Sequence, residues 1–404
     1  MIERSAWYDQ TDLTACPVVE RPPAEAPVVV IGGGITGASA LYHLAARGTP
    51  ALLLEAGPHL SHGATGRNAG FLLGGTVEYF DEAAAKWGAP AAAAIWAFTL
   101  ENNRGIKNAI AREGIACDLA EVGQLVLASS EAEWGSVQRT VQLMKESGLE
   151  TQLLDARGVE ERTGLTGFYG GRYQPDDATL NPAALVVGLA AAAVRQGAQT
   201  AVDAPVGSLE WDRGVWRLST PQGDVRTRDL VLAANAWVPQ LWPGASGAIT
   251  PVRGQVLATA PVPPGLVTQA LSTNYGYEYW RQMPNGQVLL GGMRWTEPDQ
   301  ALDTLDTTCQ QATHDRLAAF VCAHYPSLAD IPITHRWGGL MAFSRDRLPF
   351  IGRVPGWERA YVAAGYTGHG MAFGYLAARC LADLILEGET DLDIARYSPA
   401  RFQA

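Results

Sequence analysis

The sequence predicts an α/β fold in which a doubly wound parallel sheet is joined to an antiparallel sheet that carries helices of its own. Three observations predict it. The apolar run Val28-Val29-Val30-Ile31 leads into Gly32-Gly33-Gly34, a helical repeat and a second apolar run, Ala51 to Leu54; this is the order of a βαβ unit whose strands are covered on both faces. Between 250 and 295 the period becomes two, as in antiparallel strands with unlike faces. Near the end a further apolar run, Ala360 to Ala364, is followed by a glycine turn and a long apolar helix, so the parallel layer resumes after the antiparallel one.

With 404 residues, 47% of them hydrophobic, the chain has material for two ordinary domains. A net charge of −11 and the absence of any Lys/Arg-rich run exclude a nucleic-acid partner. Lysine occurs only at 86, 107 and 145. Five scattered cysteines without a CxxC pair indicate neither a disulfide framework nor a metal site. The first 26 residues have no apolar core like that of a signal peptide, and no later stretch has 18 uninterrupted apolar residues. The expectation is a cytoplasmic protein with no membrane partner; oligomeric state is left open.

Taken in order, residues 1–26 are polar and punctuated by Pro17, Pro22 and Pro23, which reads as an N-terminal arm. After the βαβ unit comes a glycine-rich loop, 57–75. Residues 79–160 read as mostly helical, with alanine-rich amphipathic segments at 82–113 and 131–147. Asn181-Pro182 is an N-cap and N1 pair opening a helix to about Gln196. Strands are expected around Val215–Leu218, Val225–Thr227 and Leu230–Ala234. The antiparallel set is Gln255–Thr259, Tyr275–Arg281 and Val288–Leu290, the last two joined by the turn Pro284-Asn285-Gly286. A helix is expected at 305–323, mixed loop and strand from Trp337 to Gly352, and the closing helix from Met371 to Glu387.

Gly32-x-Gly34-x-x-Gly37 is weak by spacing alone. Its setting strengthens it: a buried strand precedes it, the helix it opens at Ile35 and Thr36 presents amides and a dipole to a pyrophosphate, and an acid, Glu55, follows 18 residues after Gly37. Glu55, beside Ala56, suits ribose hydroxyls and disfavours a 2′-phosphate. The motif predicts a dinucleotide and leaves NAD and FAD open. The turn Gly365 to Gly370 ahead of a long helix fits a flat ring that carries negative charge when reduced.

The segments Val28 to Leu44, Gly63-Ala64-Thr65-Gly66-Arg67-Asn68-Ala69-Gly70-Phe71, Trp337 to Gly352 and Gly365-Tyr366-Thr367-Gly368-His369-Gly370-Met371 together resemble the D-amino acid oxidase superfamily of FAD-dependent oxidoreductases. Tyr279-Trp280-Arg281 ahead of Gly291-Gly292, with the Trp-Gly-Gly segment, is most similar to the gamma-glutamylputrescine oxidase branch. The resemblance runs from about residue 5 to 400. It implies a glutathione-reductase-like FAD-binding domain from 27–78, 171–244 and 338–404, with a substrate domain from 79–170 and 245–337. It also implies that Ala64, Thr65, Arg67, Asn68 and Ala69 pass along the cofactor, which Gly339, Gly368, His369, Gly370 and Met371 approach from the other side. The strand with Tyr277, Tyr279 and Arg281 becomes the wall of a substrate cage. Glu278 lies on its other face, as a partner for an ammonium or a solvated charge.

Two departures bear on substrate. Glycine and D-amino acid oxidases place an arginine after the Gly-Leu matched here by Gly339-Leu340, where it clamps the substrate carboxylate; this chain has Met341. A replacement clamp has to come from Arg253, Arg281 or Arg345. Sarcosine oxidases carry a lysine beside the flavin and a cysteine attached to it, and there is no lysine after 145 and no cysteine between 323 and 379. The expected activity is oxidation of a C–N bond of a small amine to an imine by hydride transfer to non-covalent FAD, with Tyr277, Tyr279, Arg281 and His369 as catalytic candidates and oxygen or another acceptor taking the electrons. Alternatives are an amino acid oxidase or dehydrogenase of the glycine, sarcosine or D-amino acid type, an NAD-dependent dehydrogenase, and a non-catalytic flavoprotein subunit.

Overall fold

The apolar runs pair as parallel strands in the computed structural model, which describes residues 1–402. Strand β1 (Glu25–Ile31), helix α1 (Ile35–Ala45) and strand β2 (Ala51–Leu54) form the expected βαβ unit. Strand β1 lies between β2 and the long strand Gly223–Leu232; Ala360–Ala364 continues the sheet on one side and Gln199–Ala201 on the other, all parallel. Phe350–Arg353 closes that edge antiparallel. Because these strands are covered on both sides, Val28 and Val30 pack against α1, Pro182–Arg195 and the closing helix Gly370–Leu386, while Val29 and Ile31 pack against Trp216, Leu218 and Trp242. Asn181 caps its helix as its sequence position requires, its Oδ1 accepting from the Ala183 and Ala184 amides at 3.1 Å.

The second sheet runs in the order Ile333–Ser344, Ile249–Thr259, Val288–Gly292, Glu278–Gln282, Ala270–Thr273, Gln124–Ala128, Gly170–Gln174, Gln152–Asp155. Only the pairing of Ala270–Thr273 with Gln124–Ala128 is parallel. Three expectations change here. The stretch 79–160 is interrupted by the strand Gln124–Ala128, all five residues of it buried, and the helical segment at 82–113 is broken at Gly88, whose φ of +84° ends one helix before Ala89–Glu113 begins. The strands Gly170–Gln174 and Ile333–Ser344 belong to the second sheet, so the boundaries expected at 171 and 338 fall inside strands rather than between domains. Tyr275 and Tyr277 precede their strand, which starts at Glu278, because Asn274 and Tyr275 take left-handed φ of +52° and +54° in a turn.

The N-terminal arm is built in. Residues Ala6–Asp9 form a single 3₁₀ turn, and Trp7 is 0% exposed among Ala69, Ala183, Val256 and Trp337. Its indole N–H donates to the Asn68 carbonyl at 2.8 Å, and the Tyr8 hydroxyl donates to the Ser61 and His62 carbonyls. A sequence pattern cannot show this, since the partners lie about 60 residues away. Trp7→Ala removes a fully buried indole and leaves a cavity where the second sheet and the helix Pro182–Arg195 meet the loop, so a loss of about 3–5 kcal/mol is expected. Chemical denaturation checks it, with Val18→Ala at a 49% exposed position as the control that stays near wild type.

Candidate active site

Two backbone contacts shape one end of the site. A Cβ on Gly37 would lie 1.8 Å from the Gly32 carbonyl oxygen, so only glycine lets α1 sit this close to the end of β1. The turn thus formed points the first amides of α1 into a cavity of about 1050 Å³. Thr65 Oγ1 accepts from the Ile35 amide at 3.0 Å, which ties the loop 61–70 to that helix end. Glu55, at the end of β2, lines the cavity and accepts from the Gly33 amide at 2.6 Å and the Gly57 amide at 2.7 Å. Burial raises its carboxyl pKa, against the opposing pull of these amides.

The N-terminus of the closing helix meets the same space. Gly365, Thr367 and Gly368 all have positive φ, and Gly368, His369, Gly370 and Met371 line the cavity. Tyr366 donates to or accepts from the Thr36 hydroxyl at 2.8 Å and so joins the two helix starts. His369 is the residue before the closing helix; its Nδ1 is buried and has no hydrogen-bond partner among the described residues, and burial holds the ring below the usual histidine range. His62, also at the cavity, is lowered to about 4 by burial first and by Arg67 second. Both imidazoles are therefore neutral at pH 7.

Arg67 lines the cavity, with Nε donating to the His62 carbonyl and Nη1 to the Gly338 carbonyl, both at 2.9 Å. The Trp337 indole donates to the Arg67 carbonyl at 2.9 Å, so the Trp-Gly-Gly strand docks on the loop at this residue. Asn68 does not point across the site; it accepts from the Gly70 amide at 2.7 Å and donates to the Thr65 carbonyl at 3.0 Å, shaping the turn. Met341 occupies the gap between the sheet and the closing turn, its sulfur 3.5 Å from where a Cβ on Gly368 would lie and its methyl at the same distance from one on Gly254.

The second sheet supplies the opposite wall through one row of facing residues: Arg172, Val126, Ser272, Tyr279, Gly291, Val256. The Tyr279 ring lies over Gly291, where a Cβ would come within 2.4 Å of it. Burial pushes the Tyr279 phenol up to about 12, so it stays protonated. Tyr277 lines the mouth and stacks with Arg294.

Arg281 requires a correction. It shares the Tyr279 face but sits two residues further along the strand, outside the cavity, where Nη1 donates to the Gly70 and Leu180 carbonyls at 3.2 and 3.0 Å. Arg253 is paired with Glu297 and Asp306, and Arg345 lies over the Phe402 ring; neither lines the cavity. Glu278 is buried on the far face and accepts from the Trp295 indole at 2.6 Å, so it is neither a solvated charge nor a partner for an ammonium in this cavity. Gly37 lies beneath the turn rather than on the cavity surface; each of the other expected cofactor residues contributes to the lining.

The basic residues that do line the cavity besides Arg67 are Arg172, Arg294 and Arg347. Arg172 had a readable sign in the alternation Gly170, Arg172, Gln174, which puts an arginine and a glutamine on one face of a short strand. Arg294 follows a left-handed Met293 in a 3₁₀ turn and had none. Among the described residues no group of three His, Cys, Asp or Glu side chains is disposed to hold a metal ion, and no helix is long and apolar enough to cross a membrane.

These residues fit FAD. The cavity joins two helix N-termini that have no acid in their first turns, a glycine-walled approach at each, a carboxylate at the end of β2 and an orphaned buried imidazole nitrogen at His369. Sequence comparison agrees. The probable oxidoreductase OrdL of Haemophilus influenzae is 28% identical over 410 residues, covering 97% of this chain and 90% of that protein. The gamma-glutamylputrescine oxidoreductase of Escherichia coli is 25% identical over 371 residues, covering 89% and 83%. The crystal structure of glycine oxidase from Geobacillus kaustophilus superposes with a TM-score of 0.80 at 23% identity, covering 94% of this chain and 99% of that one, so the fold is shared. The family profile described as DAO, FAD dependent oxidoreductase, matches residues 27–384, and the chain belongs to that family.

Proposed function

We propose that the chain oxidises the C–N bond of a small amine to an imine, that FAD is held without a covalent bond, and that the preferred amine carries no carboxylate next to the reacting nitrogen. Bound FAD supplies the hydride acceptor, its N5, and water then hydrolyses the imine; oxygen or another acceptor takes the electrons. The first sheet is read as the cofactor domain and the second as the substrate domain. Five free cysteines agree with a cytoplasmic setting.

The observation that carries the substrate reading is Met341. A thioether between the second sheet and the closing turn offers no charge to a carboxylate there, and an unpaired carboxylate in a dry pocket costs several kcal/mol. Tyr279 and Val256, which also line the cavity, suit methylene groups. Tyr279 stays protonated, and His62 and His369 stay neutral near pH 7. None of the three arrives charged to hold a carboxylate. Arg294 favours a second reading, oxidation of an α-amino acid. Its guanidinium lies over the Tyr277 and Phe343 rings, it has no carboxylate partner among the described residues, and Phe343 is two residues from Met341 on the same strand.

Three outcomes are expected. Acid precipitation of the purified protein leaves the yellow colour in the supernatant, since no cysteine lines the cavity; colour in the pellet shows a covalent link. In anaerobic bleaching, amines without an adjacent carboxylate reduce the flavin at least about tenfold faster than glycine, sarcosine or D-alanine, the ratio given by roughly 1.4 kcal/mol of lost pairing. Faster reduction by sarcosine or D-alanine, abolished by Arg294→Ala, establishes the second reading instead.

The third outcome concerns pH. Burial makes both imidazoles weak bases, poor acceptors for an ammonium proton, so the reacting amine arrives as the free base and the reduction rate rises with pH toward the amine's own pKa, about 10 for an alkylamine. A fluorinated amine of lower pKa moves that limb to lower pH by the same interval, and His62→Asn leaves it in place. A limb fixed near pH 6–7 for both amines, and shifted by His369→Asn, assigns the proton to histidine.

A further inference from the structure

We propose that Arg172 forms a binding site for a carboxylate at the far end of the substrate, many bonds away from the nitrogen that is oxidised. This rests on the amine-oxidation reading and names the substrate class more closely: an amine whose chain ends in a carboxylate.

Arg172 is 8% exposed, on the strand Gly170–Gln174, and lines the cavity. Its Nη1 donates to Gln174 Oε1 at 3.2 Å and lies 3.7 Å from the Met144 sulfur. Its remaining N–H groups make no hydrogen bond to the protein, and no carboxylate lies within 4 Å of it among the described residues. An unpaired guanidinium so buried is costly unless something occupies the space in front of it.

The neighbouring acids are committed elsewhere. Glu133 accepts from the Tyr79 hydroxyl, the Tyr275 amide, and the amide and hydroxyl of Ser129, at 2.8 to 2.9 Å. Asp177 accepts from the Gly74 amide at 2.8 Å, and burial raises its carboxyl to about 7, so near neutrality it is an incomplete counter-charge for Arg172. Gln124 and Ser272 also line this end of the cavity, joined by a 3.3 Å hydrogen bond, and the stacked rings of Tyr79 and Tyr275 border it.

Geometry sets the length of the ligand. Arg172, Val126, Ser272 and Tyr279 are successive members of one cross-strand row. Three strand spacings of ~4.8 Å place the Arg172 and Tyr279 backbones about 14 Å apart. Val126 lies between them, an apolar surface for methylenes. An α-carboxylate cannot reach Arg172 while its own nitrogen sits by Tyr279; a carboxylate at the end of a chain can.

The test uses the FAD-loaded wild type, Arg172→Gln and Arg172→Lys with two substrate pairs: 5-aminopentanoate and 6-aminohexanoate, each against its primary amide. In anaerobic flavin reduction the wild type is expected to half-saturate at a concentration at least tenfold lower with one of the carboxylates than with its amide. Arg172→Gln raises the half-saturation for the carboxylate roughly ten- to hundredfold, the range for a charged hydrogen bond, and leaves the half-saturation for the amide in place. Arg172→Lys recovers part of the preference. Wild type without a carboxylate preference, or a preference that survives in Arg172→Gln, overturns the proposal. A second readout needs no oxidation: glutarate and adipate perturb the flavin absorption of wild type and not of Arg172→Gln. If they do so while no amine bleaches the flavin, the site stands and the amine reading fails; equal perturbation of both proteins overturns the site even where amines react.

Discussion

Two helices begin at one cavity with their positive ends uncompensated, and the rest of the structure follows from that. Neither α1 nor the closing helix has an acidic residue in its first turn, although such residues would stabilise an isolated helix there. The helices are held together by close packing that leaves no room for larger side chains. A Cβ on Gly374 would lie 3.0 Å from Ile35 and Thr36, and the Thr36 and Tyr366 hydroxyls bond at 2.8 Å. Two dipole ends aimed at the same space favour an anion there, and FAD brings negative charge in two places, its pyrophosphate and its reduced ring. Helix–helix packing thereby becomes cofactor specificity.

What was legible in the sequence is what is local. The βαβ unit, the Asn181 cap and the closing turn depend on residues within one or two turns of each other, and glycine spacing with apolar runs declares them. The strand Gln124–Ala128 is five residues long between two longer helices, and its apolar run carries no period of its own. The face of Tyr279 was readable from alternation, yet the same alternation carried Tyr275 and Tyr277 into a strand they do not join. The role of the arm was hidden because Trp7 finds its partners in the loop 61–70 and the second sheet only after the chain has folded.

The arginines show the same limit more sharply. Arg281 and Arg172 each sit on a strand of the second sheet, on the face that the cavity uses. Which of them meets substrate depends on register: Arg281 is one alternation too far along and spends its donors on the carbonyls of Gly70 and Leu180, bracing the loop that carries Arg67. Burial lowers its pKa to about 10, still well above neutrality, so it remains a cation in its structural role. A shift of two residues along a strand separates a positioning residue from a binding one, and nothing in the linear sequence reports that shift.

Met341 and Arg172 are two sides of one electrostatic choice. A buried cation next to the reacting centre would hold an α-carboxylate, and in the same low-dielectric space it would also oppose a second cation and disfavour any substrate without the anion. Placing a thioether on the strand Ile333–Ser344 and a guanidinium on Gly170–Gln174, six places away in the order of the second sheet, lets the reacting end of the pocket bind by shape and apolar contact, while the charge acts on the other end of the ligand. Discrimination then comes from chain length: a ligand too short leaves Arg172 unpaired, and one too long displaces the nitrogen from its position. Because a misplacement of about 1 Å at a reacting centre can cost on the order of a hundredfold in rate, a remote anchor held in the hydrogen-bonded ladder of a sheet fixes the reacting bond more sharply than one on a short 3₁₀ turn such as that of Arg294.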